Sequence, residues 1–176
     1  MAQIEIWNGD ICDLEVDAIV APATGSLWMS TGVAGAIKRA GGDAIEFEAI
    51  RQAPVELGDA IATAAGVLVA RAVIHAVSLD RDRRTTAETL DAAVRSAMAR
   101  ARDMAATSIA FPALGSGVGG FPLEEGARIT VAAVRDELPA SPTIAHVVFA
   151  LRGAAAYQAF SQALQEAPVM PSGASQ

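Results

Sequence analysis

At 176 residues the chain is long enough for one well-buried core and short for two, since domains cluster at roughly 100 to 150 residues. Hydrophobic residues make up 52% of the sequence and aromatic ones only 5%, so the core has to be built from Ala, Val, Ile and Leu, a composition that suits buried parallel strands covered by Ala-rich helices. A formal charge of −7, with no Lys/Arg cluster to offset repulsion from a phosphate backbone, argues against bulk DNA or RNA binding.

In chain order, short apolar runs mark strands at "QIEIW" (3–7) and "DAIVA" (17–21). The loop "ATGSLWMSTGVAGAIKRAGG" (23–42) then feeds a short helix starting near Gly32 or Val33. "DAIATAA" (59–65) and "RAVIHAV" (71–77) follow as strands. A helix over 86–105 is opened by a T-x-x-E capping box, Thr85 with Glu88. "SIAFPAL" (108–114) is the next strand, and a helix runs from about Leu123 to Leu138 behind Pro122, where the first turn tolerates proline. "HVVFAL" (146–151) is the last strand, and "AAAYQAFSQALQ" the last helix. Residues 1–167 read as one domain, and 168–176 have the composition of a flexible tail. This alternation predicts an α/β fold, a mostly parallel sheet with helices on both faces, whose first strand is an antiparallel edge. Ligands of such sheets sit beyond the carboxyl ends of the strands.

The single cysteine, Cys12, cannot form an internal disulfide, and the carboxylates around it in "GDICDLE" would raise its pKa, against a nucleophile. With two histidines in the chain, a Cys/His metal site is not expected. The sequence shows no basic-then-apolar leader and no apolar run near the ~20 residues of a membrane span, so the expectation is a soluble, cytoplasmic protein. Nothing in the sequence fixes its oligomeric state. "SLDRDRRTT" (78–86) reads as a solvated crossover loop.

"GSGVGG" (115–120) has G-x-G-x-x-G spacing, follows a predicted strand and opens a predicted helix. Glycines there permit close backbone approach, and loop N–H groups can hold an anion. The Rossmann reading fails, because the run lies late in the chain and Asp136 and Glu137 fall within or at the end of the following helix. No Walker lysine follows it, and Glu124 and Glu125 already occupy the first helical turn. Two small-residue loops leading into helices, with Thr24, Ser26, Ser30 and Thr31 as donors, could clamp one extended ligand. Asp10, at the end of the first strand, would read a hydrogen-bond donor such as an exocyclic amine, or else cap its own turn.

Taken together, "GDICDLEVDAIVAPAT", "GVAGAIKRAGG", "AVIHAV" and "SIAFPALGSGVGGFP" resemble the macrodomain family, over residues 3 to about 165. The resemblance implies a three-layer α/β/α fold and ADP-ribose as the ligand, free or on a macromolecule, with no cofactor and no metal. It implies that Asp10 takes the adenine amino group with Ile11 beside it. Thr24, Thr31, Gly32, Val33 and Ala34 on one loop, and Gly115, Ser116, Gly117, Val118, Gly119, Gly120 and Phe121 on the other, would embrace the diphosphate and distal ribose. Arg152 stands where members place an aromatic residue, and could stack on the base or remain solvated.

The departures bear on activity. The family's best-known hydrolases carry an asparagine and an aspartate at the positions of Thr24 and Ala34, and another branch uses a lysine nucleophile with an aspartate in the glycine loop, whereas the only lysine of this chain, Lys38, lies within a helix and reads as a solvent-facing charge. Removing the carboxylate removes the obvious general base. Thr24 and His75 remain as candidate catalytic groups, with a core role the alternative for His75. The leading expectation is an ADP-ribose reader with weak or no hydrolase activity of that type. The alternatives are a hydrolase of ADP-ribosyl esters or O-acetyl-ADP-ribose, and an interaction module whose pocket Trp28 and Met29 have filled.

Overall fold

The computed structural model of the chain describes residues 1–117 and 119–166. The expected tail, and Val118 in the glycine loop, lie outside the described residues. Six strands form one sheet: β1 (Gln3–Asn8), β2 (Ala18–Pro22), β3 (Ala60–Ala64), β4 (Ala72–Ala76), β5 (Ser108–Phe111) and β6 (His146–Leu151). Their order across it is β1-β6-β5-β2-β4-β3. The helices are α1 (Gly32–Gly41), α2 (Ala44–Ile50), α3 (Ala87–Asp103), α4 (Leu123–Glu137) and α5 (Ala154–Gln165).

Strand alternation sorts the core into two layers. Val20, Ile74, Ile109, Phe111, Val147 and Phe149 pack against Leu90, Val94, Val131 and Phe160 of α3, α4 and α5. Ile19, Val73, Ala110 and Val148, from the opposite face, meet Ile37 of α1 and Ile45 of α2. With so few aromatics, the tilted contacts Phe111–Phe149 and Phe149–Phe160, with ring centroids 6.2 and 5.0 Å apart, fill the space that Ala leaves between β5, β6 and α5.

Three expectations are corrected. β1 is an edge strand but runs parallel to β6; the antiparallel edge is β3, paired with β4. The physical reason is connection length. Residues 65–71 join β3 directly to β4, short enough for a hairpin, whereas β1 reaches β6 only through the whole intervening chain. The cap of α3 is Thr86, whose side chain accepts from the Thr89 N–H while Thr89 answers the Thr86 N–H. Thr85 is instead buried, donating its hydroxyl to the Ser78 carbonyl. Lys38 is no free surface charge: its Nζ lies 2.8 Å from Oε1 of Glu46, a carboxylate only 3% exposed.

Candidate functional site

The carboxyl ends of the five parallel strands, together with the start of the antiparallel β3, open on one edge of the sheet. A single cleft of ≈ 1490 Å³ runs along that edge. It is large enough for an extended ligand of dinucleotide size, since drug-sized pockets span about 300 to 1,000 Å³. Strand order fixes the order of its lining: Asp10 and Arg152 behind β1 and β6 at one end, the 115–119 loop behind β5 and the 23–34 loop behind β2 in the middle, and Arg81 and Arg83 behind β4 at the other.

At the first end, Asp10 caps a single 3-10 turn, Ile11–Asp13, its Oδ1 accepting the Cys12 N–H at 3.0 Å. Its Oδ2 lies 2.7 Å from Nη2 of Arg152. The Cys12 N–H foremost, with help from the guanidinium, holds the Asp10 carboxyl below its ordinary value against a smaller opposing effect of burial. Asp10 is therefore a carboxylate at neutral pH. Arg152, 71% exposed, is tethered by one edge and has a free planar face. Burial, followed by Asp10, pushes the Cys12 thiol up to about 11, which removes it as a nucleophile at neutral pH.

The middle is built from unspent backbone donors. Helix α1 has no side-chain cap at Thr31 and no acidic residue in its first turn, and the first N–H that finds an acceptor is that of Gly35, on Thr31 O. The N–H groups of Gly32, Val33 and Ala34 thus bring the positive end of the helix to the cleft wall. On the second loop, among the described residues, no hydrogen bond takes the N–H of Gly115, Ser116 or Gly117. The second loop is shaped by its glycines. Gly115 has φ +81°, the Phe121 N–H closes the loop on the Gly115 carbonyl, and a Cβ on Gly119 would stand 2.5 Å from the Thr85 hydroxyl. Both runs belong to the lining of the cleft, and N–H groups at a helix start and in a glycine loop are of the kind that anions take.

Of the expected residues, the structure brings Asp10, Ile11, Thr24, Thr31, Gly32, Val33, Ala34, Gly115, Ser116, Gly117, Gly119 and Arg152 to the cleft. Gly120 and Phe121 close the loop but are not among its lining. The Thr24 hydroxyl is 3.0 Å from that of Ser26. His75 does not reach the cleft. It is 1% exposed on the α1/α2 side of the sheet, its Nε2 2.9 Å from Oγ1 of Thr63, and burial pulls its pKa down to about 4. A neutral histidine satisfied by a threonine is a core group. Thr63→Val is expected to cost about 1 kcal/mol in urea unfolding by orphaning one ring nitrogen. Because the folded chain refuses a proton that the unfolded chain takes near pH 6.5, this histidine lowers stability as pH falls from there toward 4, and His75→Phe should flatten that part of a melting-temperature profile.

Sequence reasoning missed Arg83 and Arg81, placed in a solvated crossover. Arg83 donates from Nη1 to Thr31 Oγ1 at 3.1 Å and from Nη2 to Ser30 Oγ at 3.2 Å, across 52 and 53 residues of chain. No local pattern signals such a pairing. Met29 is buried beneath its loop while Trp28 stands 60% exposed on the rim, so neither fills the cleft.

The model of the family described as Macro domain matches residues 20–130. An uncharacterised protein of Mycobacterium tuberculosis is 42% identical over 165 residues, 94% of this chain but only 45% of the relative, so the chain spans under half the length of those mycobacterial relatives. A macro domain-containing protein of Caldanaerobacter subterraneus subsp. tengcongensis is 39% identical, covering 93% of this chain and 97% of the relative. Among solved structures, a Trypanosoma brucei macrodomain in complex with ADP-ribose superposes with a TM-score of 0.84 at 27% identity, over 92% of this chain and 68% of that one. An Oceanobacillus iheyensis macrodomain variant with ADPR gives 0.83 at 27% identity, over 91% and 90%. Family match, mixed sheet and cleft agree: the chain belongs to the macro domain family.

Proposed function

We propose that the cleft binds ADP-ribose, free or as an ADP-ribosyl group on a macromolecule. Adenine lies at the Asp10 end, the diphosphate between the 32–34 and 115–117 backbone donors, and the distal ribose toward Thr24 and Arg83. The observation that carries this reading is two runs of N–H groups without acceptors among the described residues, lining one cleft with a carboxylate at its end, a match to a diphosphate between a base amine and a sugar. The ADP-ribose complex of the Trypanosoma brucei macrodomain, on the same fold, supports it.

Binding rather than hydrolysis is the activity the lining favours. Ala34 puts a methyl group where the family's best-known hydrolases carry the water-activating carboxylate, and at the distal end Asp80 spends an oxygen on the Asp82 and Arg84 N–H groups. Calorimetric titration with ADP-ribose, AMP and NAD tests the first statement: micromolar binding that favours ADP-ribose is expected, and no heat with any of the three would refute it. Incubation with ADP-ribosylated protein should release no ADP-ribose above a heat-inactivated control.

A further inference from the structure

The β3/β4 end of the cleft carries features that holding an ADP-ribosyl group does not require. Three non-glycine residues of the described chain have left-handed backbone, and two of them, Leu27 at φ +64° and Arg83 at φ +61°, flank this end. Strain of that kind persists where surrounding structure holds it, and it gathers at functional sites. Here its geometric result is visible on both walls. Leu27 is buried in the core, and Met29 is buried with its N–H on Glu46, so Trp28 between them is held outward on the rim. Opposite, the Asp80 carboxylate accepts the Asp82 and Arg84 N–H groups and knots the 80–84 turn, from which Arg83 reaches back to Ser30 and Thr31.

The Arg83 guanidinium is thereby aimed by two neutral hydroxyls and, among the described residues, paired with no carboxylate. Arg81, Arg83, Asp80 and Glu56 cancel one another in charge and Arg39, whose guanidinium lies beside Gly35 near Ser30, adds one positive charge, so the Arg83 fork meets an anion in a weakly positive setting. An exposed indole face supplies the complementary contact, a stacking platform for a planar ring.

We infer that this end is a subsite for a planar aromatic carboxylate carried on the distal ribose, its ring against Trp28 and its carboxylate on Arg83. The inference rests on the ADP-ribose reading, which sets the distal ribose beside it. A ring bearing a neutral amide in the same place keeps the stacking but loses the charge-assisted pair.

The test is titration of the full chain with ADP-ribose, NAD and nicotinic acid adenine dinucleotide, the last two differing in amide against carboxylate. The acid dinucleotide is expected to bind about tenfold more tightly than NAD, as for one charge-assisted hydrogen-bonded pair. Arg83→Gln should bring that ratio near one. Trp28→Ala should weaken both dinucleotides relative to ADP-ribose. Arg71→Gln, at the opposite edge of the sheet where Arg71 pairs with Asp17, should leave the ratio intact. Equal affinity for the two dinucleotides, or a ratio that survives Arg83→Gln or collapses equally in Arg71→Gln, overturns the subsite while leaving the ADP-ribose reading in place. Absence of ADP-ribose binding overturns both.

Discussion

Asp10→Ala is expected to weaken ADP-ribose binding by about 10- to 100-fold, the range for losing one hydrogen bond to a charged acceptor. The carboxylate is ionised at neutral pH, fixed by the Cys12 N–H on one oxygen and shared with Arg152 on the other. Within the proposed arrangement an incoming adenine amine takes the Oδ2 side. Arg152 then gives up part of its pairing and lays its plane on the base. AMP should lose the same factor as ADP-ribose, because the contact belongs to the adenine end, and that equality separates loss of a base contact from general damage to the cleft. Arg152→Ala should weaken both ligands by only about two- to fivefold, as expected of an exposed cation–π contact. Asp10 also caps the Ile11–Asp13 turn, so the alanine variant should lose about 1 kcal/mol of stability, and titrations belong well below its melting temperature. Calorimetry on the two variants with both ligands decides the matter. An Asp10→Ala affinity within twofold of the parent would remove Asp10 from the site.

How much of this was legible in the residues follows from how local each signal is. β6 and α5 lie where their apolar runs predict, because buried strands and Ala-rich helices declare themselves within a few residues. The direction of β1 was not legible, since it depends on which distant strand it meets. Helix α2 escaped notice because its inward face carries Glu46 between Ile45 and Ala49, and a buried carboxylate breaks the apolar period that announces a helix. The cap of α3 was misplaced by one residue because Thr85 and Thr86 are chemically equivalent in sequence, and only the Ser78 carbonyl, reached after folding, distinguishes them. The cleft itself was largely legible through its glycines. Arg83 was not, because its role comes from an αL turn and two hydroxyls more than 50 residues away.

Glu46→Ala should produce the largest loss of stability, about 2 kcal/mol, chiefly by orphaning the buried Met29 N–H, with the loss of a partner for the part-exposed Lys38 a smaller contribution. Its Oε2 accepts the Met29 N–H at 2.7 Å and its Oε1 meets Lys38 Nζ at 2.8 Å, so one side chain joins α2, α1 and the loop that carries Trp28, Ser30 and Thr31. Burial pushes the Glu46 carboxyl up, but the Lys38 ammonium and the Met29 N–H together outweigh it and hold the group below its ordinary value. The stabilisation is therefore complete above the unfolded pKa, about 4.3, and is lost as pH falls through the lower folded value. Glu46→Gln keeps an acceptor for Met29 and removes the charge, so it should cost about half as much and erase that acid dependence. Urea unfolding at pH 7 and pH 3 for parent and both variants checks each part: the difference between parent and Glu46→Gln should be present at pH 7 and shrink at pH 3. Since the loop hangs from Met29, Glu46→Ala should also weaken ADP-ribose binding more than that of AMP, which has one phosphate and no distal ribose. Equal losses for the two ligands would mean that the Met29 anchor sets nothing specific to the second phosphate and distal ribose.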